Sequence, residues 1–515
     1  MHRRRFLLDL SVCTLALAEL PGARRVTWRP RFVADPFSLG VASGDPLPDG
    51  VVLWTRLAPD PLADDGFGGL TDERIAVSWE VADDEAFTKV VRRGVAQATR
   101  ELAYSVHVEV DGLAPDRWYH YRFTAGDVRS PVGRTRTAPA RAGTITPLHF
   151  AFVSCQHFEQ GLYTAYEHLA NERLDLVAHL GDYIYEGAGA DARVRRHDGT
   201  EITTLRDYRR RYAQYKQDPA LQRAHAMCPW TVTWDDHEVD NNYAGEISER
   251  RDPVNEFLAR RAAGYQAWYE HQPVRVPRPT RWSDLAIHRS ISWGPLARFW
   301  VLDTRQYRTD QACGDGRKPR CAEMTAPERT LLGAAQEQWL ANGLAASEAR
   351  WQVLAQQVMV APYVATVQEQ PVMSMDLWSG YPVAQRRFVD MIGTRAPGRA
   401  VVITGDIHAN WANDLRVDFE RPETPVVATE FVGTSISSGG NGSDGFTGAR
   451  ADTLRAQNPH IHWHNARRGY VHCTVDGEAW STRYRTVPYV DRPGAPVETA
   501  ASFRVEHGRP GVVRG

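Results

Sequence analysis

Two patterns of apolar and polar positions divide the chain. Between about residues 36 and 139, short segments alternate apolar and polar residues and are separated by turns, which is typical of half-buried β-strands. From about residue 148 onward, continuous apolar runs alternate with long stretches of helical periodicity, which indicates strands buried on both faces beneath helices. The change of pattern predicts an all-β domain followed by a layered α/β domain.

The first pattern predicts a small β-sandwich over residues 30–140. An aromatic pair, Trp118-Tyr119, opens the last predicted strand, and the strand spacing resembles a fibronectin type III-like sandwich with a tyrosine corner. The predicted strands are residues 51–55, 75–81, 104–110 and 118–123.

The second pattern predicts an α/β domain over residues 145–500, followed by a C-terminal tail at 501–515. Helical periodicity covers residues 205–226 and 253–271. The apolar runs that we predict to be strands are residues 149–153, 174–180, 230–234, 298–302, 351–360, 400–404 and 426–431.

The amino terminus predicts an export signal. Three arginines, residues 3–5, precede a short apolar stretch that ends in small residues near Ala18. Because this stretch is shorter than the ~20 residues that span a bilayer, we interpret residues 1–23 as a signal peptide of the twin-arginine type. Such a signal would pass the folded chain through the twin-arginine export machinery to a periplasmic, cell-wall or extracellular location. An irregular basic tail is the alternative interpretation.

The charge balance argues against a nucleic-acid-binding protein. The 515 residues include 61 basic and 63 acidic side chains, whereas surfaces that bind nucleic acid need a basic excess. Apolar residues make up 43% of the chain, which is ample for a large core. No segment after the amino terminus is apolar enough to predict a membrane span.

Export changes what the six cysteines predict. Five remain once Cys13 is removed with the signal, so at least one thiol has no disulfide partner within the chain. Cys313 and Cys321 flank a loop rich in Gly, Asp and Lys, and an oxidising compartment would favour a disulfide between them. We expect Cys155 to stay free.

Residues suited to metal binding follow four of the predicted strands. Functional side chains of open α/β sheets gather beyond the carboxyl ends of strands, so we expect these segments to share one site. Each alone has a plainer interpretation as a turn, a solvated loop or a small buried cysteine, but together they favour a metal site. The segments are Ser154-Cys155-Gln156, Gly181-Asp182-Tyr183-Ile184-Tyr185-Glu186, Asp235-Asp236-His237-Glu238 with the nearby Asn241-Asn242, and Gly405-Asp406-Ile407-His408.

These segments resemble the motifs of PhoD-type alkaline phosphatases, a branch of the calcineurin-like metallophosphoesterases. The superfamily pattern is Asp-x-His, Gly-Asp-x-x-Asp, Gly-Asn-His-Asp/Glu and Gly-His-x-His at successive strand ends. The departures here, with Cys155 and Tyr185 in place of Asp and His ligands, are those of the PhoD branch. The resemblance covers nearly the whole chain and implies an αββα metallophosphoesterase domain behind a PhoD-type β-sandwich.

The resemblance also implies the metals. A thiolate, a phenolate, a carboxylate and an imidazole suit a redox-competent transition metal rather than Mg²⁺. We therefore expect iron at Cys155, Asp182, Tyr185 and His408, and the assignment of Fe³⁺ rather than zinc comes from the family. The remaining oxygen ligands suit Ca²⁺, with Asp182 as a bridge and the number of ions left open. They are Asp236, Asp406 and one of Asn241 or Asn242, of which we favour Asn242.

Two further residues receive candidate catalytic roles. His237 follows Asp236 as the catalytic His follows Asn in the superfamily, which implies protonation of the leaving group or stabilisation of the phosphate. A supporting role outside the ligand set is the alternative. Arg305 follows a predicted strand and could clamp a phosphate oxygen bidentately, or it could form a surface salt bridge.

The implied function is an exported, metal-dependent hydrolase of phosphate mono- and diesters, in which metal-activated water attacks phosphorus in line. The substrate would be a small-molecule or lipid phosphate ester. Three alternatives stay open: a phospholipase D-type phosphodiesterase, a non-catalytic cell-envelope binding protein on the same scaffold, and an enzyme that handles oxygen or electrons. The last would leave the Gly-Asp and Asp-Asp-His-Glu segments without a purpose.

Overall fold

The computed structural model describes residues 30–515, and the predicted export signal lies outside this range. Within it, a strand-rich segment over residues 41–136, called the β-segment below, leads into two large sheets that pack face to face. Helices cover the outer surface of each large sheet.

The β-segment forms two packed sheets. Leu53, Val77 and Tyr121 belong to the apolar cluster that they bury. The Tyr119 hydroxyl accepts a hydrogen bond from the Ala114 N–H at 2.9 Å, the contact expected of a tyrosine corner. One sheet contains β1 (Val41–Leu47), β2 (Gly50–Arg56) and β5 (Ser105–Val110), and the other contains β3 (Arg74–Ala82), β4 (Val90–Thr99), β6 (Trp118–Ala125), β7 (Val128–Arg129) and β8 (Gly133–Arg136).

The first large sheet has a parallel part and an antiparallel part. Its parallel strands are β9 (Leu148–Val153), β10 (Leu176–His179) and β11 (Trp230–Val232). Its antiparallel strands are β22 (Ile461–Val475), β23 (Ala479–Val487), β24 (Glu498–Glu506) and β25 (Arg509–Arg514).

The second large sheet has four parallel strands with antiparallel strands at its sides. In pairing order it contains β12 (Arg289–Trp293), β13 (Ala297–Val301), β15 (Trp351–Ala355), β18 (Ala400–Thr404), β20 (Val426–Val432) and β19 (Asn410–Arg416). The long β22 joins the two sheets because it pairs with β9 in one and with β19 in the other. The short strands are β14 (Arg317–Lys318), β16 (Ala365–Val367), β17 (Gln370–Ser374) and β21 (Gly442–Ser443).

Three apolar clusters separate the layers. One lies between the two sheets and includes Phe152, Leu180, Val353 and Phe431. The second fills the space between the first sheet and α1 (Thr164–Leu169), α2 (Leu205–Lys216), α3 (Pro219–Met227) and α4 (Val254–His271). The third lies between the second sheet and α5 (Gly333–Ala346), α6 (Pro382–Arg395) and α7 (Gly448–Gln457). The prediction of a mixed, layered α/β architecture is confirmed.

Two predicted elements are wrong. The helix predicted over 205–226 is two helices, because Pro219 has no N–H to continue the first, and the Asp218 carboxylate caps the second by accepting from the N–H groups of Ala220 and Leu221. The predicted tail at 501–515 instead belongs to β24 and β25, and the boundary at residue 500 cuts β24.

The predictions for Cys155, Cys313 and Cys321 are confirmed. Cys313 and Cys321 form a disulfide, and Cys155 is a free, buried thiol. Cys228 and Cys473 are also free and buried.

Within residues 30–515, no helix combines the length and the apolarity that a membrane span requires.

Candidate metal centre

The ends of four strands meet where the two large sheets face each other. β9, β10 and β11 run parallel side by side, so their carboxyl ends lie at one edge, and the Cys155 N–H donates to the Gly181 carbonyl at 3.1 Å. The end of β18 approaches from the second sheet. A Cβ added to Gly405 would lie 2.7 Å from the Ser154 Oγ, and one added to Gly181 would lie 2.7 Å from the Asp235 N. Both Gly-Asp pairs therefore need glycine for this close approach.

The four residues predicted to hold iron come together. Ligand atoms of Cys155, Asp182 and His408 all lie within 4.8 Å of one another. The Tyr185 hydroxyl is 2.9 Å from Asp182 Oδ2 and 3.2 Å from His408 Nε2. Asp182 Oδ1 is buried and has no hydrogen-bond partner within residues 30–515. An unpaired buried carboxylate oxygen beside a thiol, a phenol and an imidazole fits a bound cation.

A second set of carboxylates adjoins the first. Asp235, Asp236 and Asp406 bring ligand oxygens within 4.8 Å of one another, and Asp236 also lies within that distance of Asp182 and His237. The prediction missed Asp235, although this residue directly precedes Asp236 in the segment that the prediction used. Oxygen ligands of this kind suit a hard cation.

The two asparagines differ in position. The Asn242 N–H donates to Asp236 Oδ2 at 2.7 Å, and its side-chain amide donates to Asp315 at 2.8 Å. The Asn241 amide points away and donates to Glu249 at 2.6 Å. Asn242 is therefore the asparagine beside the centre, and its role as a ligand stays a prediction.

His237 lies at the edge of the centre, with 19% of its side chain exposed. Its Nδ1 is 2.7 Å from Glu186 Oε2, and its ring lies 4.1 Å from the Tyr185 ring. Burial works against a charged imidazole, but the carboxylates of Glu186, Asp182 and Asp236 together raise the pKa of His237 well above its usual value. The prediction missed Glu186, which directly follows Tyr185.

Arg305 lies beneath the centre rather than at its mouth. The residue has no exposed surface, and its guanidinium donates to Asp235 at 2.5 Å and to Asp376 at 2.7 Å. Its Nη2 also lies 3.6 Å from Asp236 and 3.7 Å from Asp406. The alternative of a surface salt bridge is therefore excluded, because the ion pairs of Arg305 are buried. Full burial also leaves no exposed face with which to clamp a phosphate, so the side chain instead offsets the negative charge of the neighbouring carboxylates.

Four groups of the centre, Cys155, Asp182, Tyr185 and Asp406, resist ionisation when no cation is bound. Burial, followed by the charges of Asp182 and Asp406, raises the pKa of the Cys155 thiol well above its usual value. Burial is also the largest cause that raises the pKa of Tyr185, Asp182 and Asp406. A bound metal ion would reverse this balance, because its charge favours thiolate, phenolate and carboxylate forms. The residues thus fit a metal centre.

Two more residues that the prediction missed support the ligands. The Ser438 hydroxyl lies 2.7 Å from the Tyr185 hydroxyl and 2.7 Å from the Cys155 carbonyl. The Arg468 guanidinium donates to the His408 carbonyl at 2.9 Å. Neither residue directly follows one of the four strands, so their role was not visible in the sequence.

Comparisons with known proteins agree with this architecture. The PhoD-like phosphatase family model matches residues 150–484, and the model for the PhoD-like phosphatase N-terminal domain matches residues 23–139. Alkaline phosphatase D of Bacillus subtilis (strain 168) is 51% identical over 505 residues, which cover 97% of this chain and 85% of that protein. The solved structure of PhoD, also 51% identical, matches with a TM-score of 0.91 over 94% of this chain and 93% of its own. The chain therefore belongs to the PhoD-like phosphatase family of enzymes.

Proposed function

We propose that this protein is an exported alkaline phosphatase that hydrolyses phosphate mono- and diesters at the centre described above. The observation that carries the proposal is the convergence of Cys155, Asp182, Tyr185 and His408 from three separate strand ends. Asp182 Oδ1 is buried without a hydrogen-bond partner within residues 30–515, and burying it is costly unless a cation occupies the site.

The ligand chemistry divides the centre in two. In this proposal, Cys155, Asp182, Tyr185 and His408 hold Fe³⁺, and oxygen ligands hold Ca²⁺. The oxygen ligands are Asp182, Asp236, Asp406 and Asn242, with Asp235 beside them. When bound, such ions polarise phosphoryl oxygens and lower the pKa of a coordinated water toward ~7.

The chain's own residues supply the rest of the chemistry. His237 is partly exposed and close to the ligands, so we assign it protonation of the leaving group. Glu186 fixes the imidazole through the 2.7 Å contact to Nδ1, which leaves Nε2 as the nitrogen that faces substrate. Arg305 is buried, so it offsets the charge of the carboxylates without touching substrate.

Export belongs to the same proposal. Residues 1–23 would direct the folded, metal-loaded chain through the twin-arginine machinery. The disulfide between Cys313 and Cys321 is consistent with an oxidising destination. Replacing Arg3 and Arg4 by Lys should retain the protein inside the cell, as measured by cell fractionation.

The test compares two buried, free cysteines. Wild-type protein should contain iron and calcium by elemental analysis and should release p-nitrophenol from p-nitrophenyl phosphate and from its bis-ester. Cys155→Ser should lose the charge-transfer absorption of a metal-bound thiolate or phenolate and at least about 100-fold in kcat/KM, the scale of losing a metal contact. Cys473→Ser, at a thiol beside Thr482 in the core, should keep both.

The outcomes separate the alternatives. Metal-free protein with the wild-type rate would refute the proposed mechanism. Protein that binds both metals but hydrolyses neither ester would instead favour a non-catalytic binding role.

A further inference from the structure

A cleft beside the metal centre contains Arg317, which is not one of the candidate ligands and does not belong to the buried ion pairs that Arg305 and Arg308 form. The cleft has a volume of about 170 Å³. Asp406 and Ile407 line it together with Arg317 and Tyr363. Arg317 is exposed, and its guanidinium carbon lies 5.7 Å from the centre of the Tyr363 ring.

This arginine differs from the other cations near the centre. Arg305 and Arg308 are buried and both bind Asp376. Among the ion pairs formed within residues 30–515, none includes Arg317. Its charge is therefore open to a ligand in the cleft.

The local fold holds the backbone of Arg317 in place. Arg317 and Lys318 form β14, in which Arg317 pairs with Ser374 of β17. The disulfide between Cys313 and Cys321 closes the loop that carries β14. Within this loop, Asp315 accepts from the Asn242 amide at 2.8 Å. Because this backbone is fixed before binding, only the side chain has to be ordered when the guanidinium meets an anion.

We infer that Arg317 and Tyr363 form a subsite for an anionic group, a phosphate or a carboxylate, on the substituent of the phosphate ester. The inference rests on the proposed function, since it places the reacting phosphate at the ligands and its substituent in the adjoining cleft. A guanidinium binds either anion bidentately, and the Tyr363 ring offers an apolar face to the carbon chain between the two charges. The preferred substrates are thus esters with a second negative group.

The experiment uses two matched pairs of monoesters with release of inorganic phosphate as the readout. One pair is phenyl phosphate and 4-carboxyphenyl phosphate, and the other is propyl phosphate and propane-1,3-diyl bisphosphate. For each pair we define the preference as the ratio of kcat/KM for the ester with the second anion to kcat/KM for the ester without it. Leaving-group reactivity is the same for every variant, so changes in the preference report binding of the second anion.

Arg317→Ala should lower the preference about three- to tenfold in at least one pair, the scale of one partly exposed charge-assisted contact. Arg317→Lys should retain part of it. Raising the salt concentration should weaken the wild-type preference and leave that of Arg317→Ala unchanged. The pair that responds identifies whether phosphate or carboxylate is recognised.

Arg320→Ala is the control, because Arg320 is exposed nearby on the same segment but pairs with Glu420 and does not line the cleft. Its preference should equal that of the wild type. An unchanged preference in Arg317→Ala in both pairs, or an equal fall in Arg320→Ala, would overturn the subsite while leaving the proposed function intact. Wild-type protein that hydrolyses none of the four esters would overturn both.

Discussion

At the scale of single residues, the centre stores backbone strain. Cys155, Asp182, Asp406 and His408 have φ values of 57°, 57°, 63° and 53°, in the left-handed region. Each such residue costs roughly 1–2 kcal/mol when it is not glycine. Residues of this kind persist where the surrounding structure fixes them, and they cluster at functional sites. The four residues lie at three of the four strand ends that the sequence motifs selected, after β9, β10 and β18.

The buried position of Arg305 leads to a prediction about stability. Arg305→Met keeps much of the side-chain volume but leaves the carboxylates of Asp235 and Asp376 without their main partner. We expect the free energy of unfolding to fall by about 3–5 kcal/mol, because breaking a buried ion pair leaves uncompensated charge. Urea denaturation followed by tryptophan fluorescence measures the loss.

Arg386→Met provides the matched control for this measurement. Arg386 is on α6, 60% of its side chain is exposed, and it lies 3.7 Å from Asp418. An exposed pair of this kind should contribute less than about 1 kcal/mol. Equal losses in the two variants would contradict the role assigned to Arg305.

The sequence located the candidate ligands better than the residues that contact them. Cys155, Asp182 and His408 each stand just after an apolar run, so local pattern and strand context together identified them. Asp376 could not be found in this way, because its importance comes from Arg305 and Arg308, about 70 residues away in the chain. Supporting residues are defined by the tertiary fold rather than by any local pattern.

At the scale of elements, buried strands were predictable and the last hairpin was not. The continuous apolar run at 400–404 coincides with β18. In β24, by contrast, Phe503 and Val505 are buried while Arg504 and Glu506 are exposed. A short alternating strand at the chain end resembles a polar tail, and only its pairing with β23 reveals its role.

Removal of the hairpin tests this role. Deleting residues 498–515 removes Phe503 and Val505 from the cluster between the large sheets and uncovers Trp480. Burial of a large apolar side chain contributes about 1.5–3 kcal/mol, so the deletion should cost at least about 3–6 kcal/mol. We expect a lower melting temperature and a lower soluble yield. Deleting Gly515 alone should change neither, and a full deletion with wild-type melting behaviour would restore the interpretation as a tail.

At the scale of the whole molecule, the β-segment packs against the α/β layers through hydrogen bonds and an ion pair. The Trp54 indole donates to the Glu270 carbonyl at 2.9 Å, and Arg289 pairs with Asp45 at 2.8 Å. Gly44 also forms a parallel bridge with Trp230 of β11. These contacts join residues roughly 190–240 apart, so the change of pattern in the sequence marked the boundary but could not predict the attachment.

Buried histidines make the folded molecule as a whole sensitive to acid. His179, His225, His271 and His460 are at most 3% exposed. Burial is the largest cause that lowers the pKa of each, to about 3 for His179 and about 4 for His460. The histidines of the unfolded chain have pKa values near 6.5. Between about pH 6.5 and 4, the unfolded chain therefore binds more protons than the folded chain. Stability that is fully present above about pH 6.5 is lost as the pH falls toward 4.

One substitution measures how much a single buried histidine contributes to this loss of stability. Each buried histidine contributes a slope of up to about 1.4 kcal/mol per pH unit, so the four together give up to about 5–6 kcal/mol per pH unit below 6. Urea denaturation at intervals between pH 7.5 and 4.5 gives the wild-type slope.

His460→Gln keeps a donor for the Pro362 carbonyl, which His460 Nε2 contacts at 2.8 Å, but it cannot titrate. Its slope should be smaller by about 1.4 kcal/mol per pH unit, because one proton fewer is taken up on unfolding. A variant slope equal to that of the wild type would show that His460 is already protonated in the folded protein at these pH values.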